Sequence, residues 1–397
     1  MITAADRGRA VIITEAGERG PLAACRSLAA AGYAVDAVAE TRLAASFWSR
    51  SCHRRLVLPG PREHPEAFAA ALTGLVRAQS YAVLVPGGEA TLLAVADHGE
   101  RLSPFVRTGL PTRDVIEKCL DKTVLLREGA AVGMPPPASI VCTPSEARAA
   151  ARQLGYPIAL KPSRSILRQS SGMRQAGTKL VTTDEEVQHA VKGLGTPVIV
   201  QRFERAGERL SCAGVFAAGE LLGLAVARYE RTWPPSAGAA SFARTIRPHE
   251  QLVTAATDLL LRLGWEGIFE LEVLGLPGGG LAVMDLNPRL FGWLALAIAA
   301  GADLPAIWCD FLLGRKRSPV IARPGVAYRW EEAELGNLVL LCRRGRIREA
   351  ATMLVPSRGV VHAHFRVADP LPLTARFADL GRRTVKRVRQ RDILGLR

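Results

Sequence analysis

The sequence predicts an α/β protein in which a Rossmann-like parallel-sheet unit is followed by an α+β region of long hairpins and then by a basic C-terminal region. Three observations carry this expectation. Short apolar runs alternate with amphipathic stretches in the first quarter of the chain, two long β-hairpin patterns follow, and the excess positive charge is concentrated at the end.

The first unit opens with an apolar strand, Val11 to Thr14, a helical pattern from Leu22 to Ala31, and a second strand, Ala34 to Val38. Two more strands, Arg55 to Leu58 and Ala82 to Val85, frame a helix from Pro65 to Ala78. Strands alternating with helices imply a parallel sheet. The turn at Gly17 to Pro21 can bring helix amides near an anion. It is not a full Gly-x-Gly-x-x-Gly, so with Glu40 after the second strand it gives only a weak dinucleotide signal against a simple tight turn.

A second region starts near Pro111, with helices at Lys122 to Ala131 and Pro144 to Leu154. Pro135, Pro136 and Pro137 mark their connection, because proline cannot continue a helix interior. Strands are expected at Pro157 to Lys161 and Pro197 to Gln201, and a long hairpin at Arg209 to Arg228 turning at Ala218 and Gly219. After a helix from Glu250 to Leu263 comes a second hairpin, Ile268 to Gly275 and Leu281 to Asp285, joined by Pro277 to Gly280. Helices and the basic tail complete the chain, and there is no internal repeat.

At 397 residues the chain exceeds the usual size of one core, so two or three packed units are expected. With 48% hydrophobic and 22% charged residues it is globular rather than disordered. No run approaches the roughly 20 apolar residues of a membrane span, and Met1 to Ala10 lacks an apolar signal core, so a cytoplasmic protein without a membrane partner is expected. The seven cysteines (Cys25, Cys52, Cys119, Cys142, Cys212, Cys309, Cys342) show no Cys-x-x-Cys pair and read as reduced thiols. His189 and His249 read as helix-end residues.

The net charge of +15 is unevenly placed: from Arg343 to Arg397 there are 14 Lys/Arg and 4 Asp/Glu, which supplies 10 of the 15 excess charges. Gly381 to Arg391 packs six basic residues around Val385 and Val388, a spacing that fits a basic helix, either a solvated face or a surface for an anionic partner. Without interleaved aromatics, nucleic acid is not expected. Lysine is rare, seven against 45 arginines, so a lysine at a chemically sensible position is informative.

The chemistry concentrates on the second hairpin. Glu272 and Asp285 lie on opposite arms, where antiparallel pairing brings such residues close. Two carboxylates there repel unless a hard cation sits between them, and Mg²⁺ prefers carboxylate and amide oxygens together with phosphates. Asn287, two residues after Asp285, faces the same side and adds a third oxygen, and Arg289 adds a fixed cation. Glu270 points to that face as well, but counting from Gly267 favours Glu272 as the ligand.

A metal-binding acid, a hairpin turn and then Asp-x-Asn-Pro-Arg resembles the ATP-grasp superfamily of carboxylate-amine ligases, of the biotin-carboxylase and carbamoyl-phosphate-synthase large-subunit type, from about Val11 to Arg315. The resemblance implies a pre-ATP-grasp domain at 1–112, an ATP-grasp domain at 113–315 with a lid lobe at about 135–200, and a basic C-terminal region at 316–397. It implies ATP and Mg²⁺ (or Mn²⁺) as cofactors, with Glu272, Asp285 and Asn287 as metal ligands and Arg289 steadying an acyl phosphate. The family has Glu where Asp285 stands.

Other positions match in turn. Lys122 in Leu-Asp-Lys and Lys161 in Tyr-Pro-Ile-Ala-Leu-Lys-Pro resemble the family's phosphate-binding lysines. Gln-Arg-Phe-Glu-Arg-Ala-Gly-Glu resembles the hinge that receives adenosine, which implies Gln201, Arg202 and Glu204 at adenine and Glu208 at ribose. The family's glycine-rich lid loop is here glycine-poor, with Gly172 and Gly177 among Arg164, Arg168 and Arg174, arginines for phosphate or substrate or for solvent. Arg228, Arg231 and the Trp233 to Gly238 loop stand where related ligases receive a substrate carboxylate.

The implied reaction is ATP-dependent activation of a carboxylate as an acyl phosphate, attack by an amine to form an amide or peptide bond, and release of ADP and phosphate. The implied partners are a small-molecule carboxylate and amine, a peptide and a homodimer being compatible with the family. The rivals are an ATP-grasp phosphotransferase and a binding protein that works through its basic tail and keeps a vestigial nucleotide site.

Overall fold

The computed structural model describes residues 9–204, 207–235, 238–355 and 359–393, with side chains described as far as Thr384. Arg205 and Ala206 of the expected hinge, Ser236 and Ala237 of the Trp233 to Gly238 loop, most of Met1 to Ala10, and the side chains of Lys386, Arg387, Arg389 and Arg391 lie outside the described residues.

The first unit is a four-stranded parallel sheet, order β3-β2-β1-β4, made by β1 (Ala10–Ile13), β2 (Ala34–Ala39), β3 (Arg54–Val57) and β4 (Val83–Val85). It carries helices α1 (Arg19–Ala30), α2 (Pro65–Ala78), α3 (Glu89–Asp97) and α4 (Gly99–Leu102). Alternation along β1 feeds two cores. Ile12 faces Phe68 and Leu72 of α2, whereas Val11 and Ile13 join Ala24 and Leu28 of α1 in a core that continues into the rest of the chain through Leu290, Phe291 and Trp293.

Helices α5 (Arg113–Leu120) and α6 (Lys122–Ala131) lead into the second sheet. Asp121 caps α6 by accepting from the Thr123 amide at 2.9 Å, which sets Lys122 in the first turn. The second sheet, order β5-β10-β6-β9, joins β5 (Ser139–Cys142), β6 (Ile158–Pro162), β9 (Lys179–Val181) and β10 (Val198–Arg202) in antiparallel pairs. Between β6 and β9 the chain forms a separate hairpin, β7 (Ile166–Gln169) and β8 (Gly172–Gln175). Helices α7 (Ala147–Leu154) and α8 (Asp184–Ala190) cover one face, where Ile158 and Leu160 meet Ala147, Ala151 and Val187. The intervening residues, Ala159 and Lys161, therefore face away from the helices.

The third sheet has eight strands, order β15-β14-β11-β12-β13-β17-β18, with β16 beside β12. Its centre is the expected hairpin, β11 (Glu208–Ala217) and β12 (Glu220–Trp233), flanked by β13 (Ala239–Ile246) and by the acidic hairpin β14 (Gly267–Gly275) and β15 (Leu281–Asn287). Helix α9 (Glu250–Leu263) covers Phe269, Leu271 and Val273, and α10 (Leu294–Ala299) and α11 (Leu304–Leu312) cover the opposite face with Ile268. Glu270 and Glu272 continue the Ile268 face and emerge where the helical cover ends.

The described residues of the stretch 316–397, expected as a basic C-terminal region, are woven into this frame. β16 (Val320–Ile321), β17 (Ala327–Arg329) and β18 (Val361–His362) extend the third sheet, while α12 (Glu331–Arg343) and α13 (Ile347–Leu354) pack beside it. The last helix, α14 (Leu371–Ile393), returns to the first unit, preceded by a buried ion pair from Arg26 of α1 to Asp369 at 2.8 Å. Among the described residues no helix is long and apolar enough to cross a membrane.

Candidate functional site

The register of β14 and β15 sets Glu272 directly opposite Asp285, and Glu270 opposite Asn287. Two clefts meet at this hairpin. One, of about 250 Å³, runs under the second sheet and is bordered by Lys161, Gln201, Phe203, Glu204, Glu272 and Asp285. The other, of about 430 Å³, opens toward the first unit and is bordered by Arg19, Glu89, Glu270, Glu272, Asn287 and Arg289. Glu272 and Asp285 line both.

Burial, with the repulsion of Glu270 and Asp285, pushes the Glu272 carboxyl up to about 8. Lys161 is pushed down to about 8, mainly by burial and also by Lys122, against the pull of Asp285 and Glu272. Its ammonium donates to the Met284 carbonyl at 3.4 Å, and Lys122 contacts the Asp285 carboxylate directly. The Lys122 amide donates to the Ser163 carbonyl at 2.8 Å, tying the start of α6 to the end of β6. The structure thus sets Lys122 on Asp285 and brings Lys161 into the same cleft as both expected acids.

Glu270 is buried and satisfied within the protein. Its carboxylate accepts from Tyr229 at 2.9 Å, Ser211 at 3.2 Å and Asn287 at 3.1 Å, and from the Trp293 indole. Arg289 in turn donates to the Asn287 side-chain oxygen at 3.0 Å, so one chain of hydrogen bonds fixes the amide and the guanidinium. Among the described residues Glu272 has no such set of donors, so it is the carboxylate of the two that is open to an outside cation.

The hinge residues divide. Gln201 is buried at the end of β10 and donates to the Ser139 hydroxyl at 2.9 Å, while Arg202 and Glu204 border the smaller cleft. Glu208, expected at ribose, begins β11, is largely exposed and pairs with Arg228 at 3.3 Å beside a different cavity. Arg228 is taken up by that pair. Arg231 forks onto the buried Glu334, with Nε at 3.0 Å, and lies over Phe242. Neither arginine borders the clefts that meet at Glu272, because both project from the part of β12 that α12 covers.

The lid arginines are partly exposed and bonded within the chain, Arg174 to the Gly193 carbonyl and the other two to acids. Arg164 contacts Glu117, and Arg168 pairs with Asp97 at 2.6 Å and Glu117 at 3.2 Å, so the β7–β8 hairpin is clamped to the first unit and to α5. On the other side of that hairpin the Met173 amide donates to the Arg62 carbonyl at 2.6 Å, and Gly172, at φ +134, sits so close to Arg62 that a Cβ would lie 2.6 Å from that oxygen.

Sequence reasoning missed Tyr229, Trp293 and Arg19. Tyr229 is two residues from Arg231 and borders both clefts. Trp293 stands four residues beyond Arg289, a spacing with no periodic meaning across a turn. Arg19 had a usable signal, since it opens the first helix after the first parallel strand, where ligands of such sheets bind.

No family model matches the chain, and no curated protein matches it by sequence. Solved structures do match by fold. The N5-carboxyaminoimidazole synthetase of Staphylococcus aureus superimposes with a TM-score of 0.60 at 14% identity, over 81% of this chain and 81% of that one. The L-amino acid ligase of Bacillus licheniformis gives 0.58 at 15% identity over 77% and 74%. The biotin carboxylase of Campylobacter jejuni gives 0.61 at 12% identity over 80% and 74%. The chain therefore has the mixed α/β fold of these enzymes, the ATP-grasp fold that its hairpin motif resembles.

Proposed function

We propose that the chain is an ATP- and magnesium-dependent ligase that activates a carboxylate as an acyl phosphate and joins it to an amine, releasing ADP and phosphate. The observation that carries this reading is the pair Glu272 and Asp285, in register at the junction of two clefts, with the hinge and Lys161 on one side and Asn287 and Arg289 on the other. The fold neighbours add support, since the Staphylococcus aureus synthetase has been crystallised with ADP and the Campylobacter jejuni carboxylase with an ATP ligand.

In this reading 1–112 is the pre-ATP-grasp domain, 113–315 the ATP-grasp domain with its lid at about 135–200, and 316–397 the C-terminal region of a cytoplasmic enzyme. Adenine lies at Gln201, Arg202 and Glu204. Glu272, half-buried and in register with Asp285 where the two clefts meet, fits a hard divalent cation, and Glu272, Asp285 and Asn287 would hold Mg²⁺ or Mn²⁺. Bound there, the ion would neutralise phosphate charge as it develops. Lys122 and Lys161 orient the phosphates, Arg289 steadies the activated carboxylate, and the clamped lid excludes water.

The test is ADP release across a panel of carboxylates and amines, with Glu272→Gln as control. Carboxylate-dependent ADP release that Glu272→Gln abolishes is expected. Hydroxylamine trapping should give a hydroxamate, whereas a phosphotransferase would give none. Turnover undiminished by Glu272→Gln would remove the metal assignment.

A further inference from the structure

With Arg228, Arg231 and Arg164 each held by an acid, the arginines expected to receive a substrate carboxylate are spent. Arg19 is differently placed. It opens α1 and lines the larger cleft together with the acidic hairpin. Its guanidinium stacks 3.5 Å from the centre of the Trp330 ring and donates to the Tyr328 hydroxyl at 3.2 Å; that hydroxyl donates onward to the Gly292 carbonyl at 2.9 Å. Among the described residues no carboxylate pairs with it. A Cβ on Gly292 would lie 2.7 Å from Arg19, so the guanidinium rests against the loop that also carries Arg289.

The platform is rigid. Trp330 immediately precedes α12, and the first-turn Glu331 accepts the amides of His364 and Phe365 at 3.0 and 2.7 Å, locking the helix start to the chain beyond β18. A stacked guanidinium that lines a cleft with one donor engaged is preorganised for a planar anion. The same cleft carries the acids Glu15, Glu18 and Glu89, so it presents a fixed cation beside carboxylates.

We infer that Arg19, held on Trp330 and Tyr328, receives the non-reacting carboxylate of the amine substrate, which makes that substrate an amino acid. The inference deepens the ligase reading and rests on it for the fate of the amine: the activated carboxylate belongs beside Arg289 and the hairpin, which leaves Arg19, a second guanidinium lining the same cleft, for the far end of the acceptor. Anchored there, an amino acid directs its amino group toward the hairpin, past acids that favour an ammonium on entry.

The test needs no turnover. The full chain, with ADP and Mg²⁺ present, is titrated with the common amino acids and with their carboxamides, by calorimetry and by tryptophan emission. At least one amino acid should bind, and its carboxamide should bind about tenfold or more weakly, because the amide cannot accept a charge-assisted fork. Arg19→Ala should erase that difference and Arg19→Lys, which keeps charge without the fork, should retain part of it. Equal binding of acid and amide, a preference that survives both substitutions in folded protein, or no binding by any amino acid overturns the inference. A preference for acid over amide without ADP release from any carboxylate overturns the ligase reading instead and leaves Arg19 as a carboxylate receptor.

Discussion

Asn287 donates its side-chain amide to the Glu270 carboxylate at 3.1 Å across the β14–β15 hairpin, two pairs along from Glu272 and Asp285. This bond separates two acids that the sequence alone presents as equivalents. Glu270 is consumed inside the protein by four donors, whereas Glu272 faces both clefts.

The separation gives opposite expectations for two similar substitutions. Glu270→Ala strands the donors of Ser211, Tyr229, Asn287 and Trp293 in a buried site and should cost about 2–4 kcal/mol of stability. Glu272→Gln removes repulsion from Asp285 and Glu270, so stability without nucleotide should hold or rise while metal-dependent turnover disappears. Urea titrations of both variants check this, and equal destabilisation by the two would contradict the division of roles.

Stability should also depend on pH with a definite sign. The Glu272 carboxyl moves from its ordinary 4.5 to about 8, so in that window the folded protein keeps a proton that the unfolded chain has lost, and stability falls as pH rises. Lys161 works in a higher window: pushed from 10.5 to about 8, it lets stability recover between those values. The melting temperature without nucleotide should therefore drop by a few degrees from pH 5 to 8, and the slope should flatten in Glu272→Gln. A wild-type slope unchanged by that substitution assigns the titration elsewhere.

What the sequence discloses here is whatever depends on short-range spacing. Period-two alternation places Lys161 opposite Ile158 and Leu160, and pairing across the turn brings Glu272 to Asp285. The arginines were not legible in the same way. A guanidinium at Arg164 or Arg231 is defined by an acid 47 or 103 residues away, a partner that only the folded chain supplies. The short strands β16 to β18 escaped for a related reason, since two or three residues carry too little pattern to distinguish a sheet edge from a loop.

The lid clamp predicts a kinetic effect far from the hairpin. Asp97→Asn with Glu117→Gln removes the acids that hold Arg164 and Arg168, so the β7–β8 hairpin should open more often. The KM for ATP should rise several-fold, and limited proteolysis should cut between Ser165 and Thr178 faster than in the wild type. Added salt should reproduce part of the effect in the wild type and little in the double variant, because the arginines are partly exposed and screened.

Arg231 tests the reassignment of the expected substrate arginines most directly. Its fork onto Glu334, which the Ser241 hydroxyl also bonds at 2.7 Å, ties β12 to α12 beneath the third sheet. Glu334 is buried, so Arg231→Ala leaves a carboxylate without its cation in a poorly hydrated place and should cost about 2–3 kcal/mol, less than a fully buried pair because Arg231 itself reaches solvent. The double variant Arg231→Leu with Glu334→Leu removes both charges and should recover most of that loss. KM for either substrate should stay within about twofold in both variants, the range expected of a stability change alone. Were Arg231→Ala instead to raise the KM for the carboxylate tenfold with its unfolding midpoint intact, the arginine would belong to the site, and the ion pair with Glu334 would describe only its resting position.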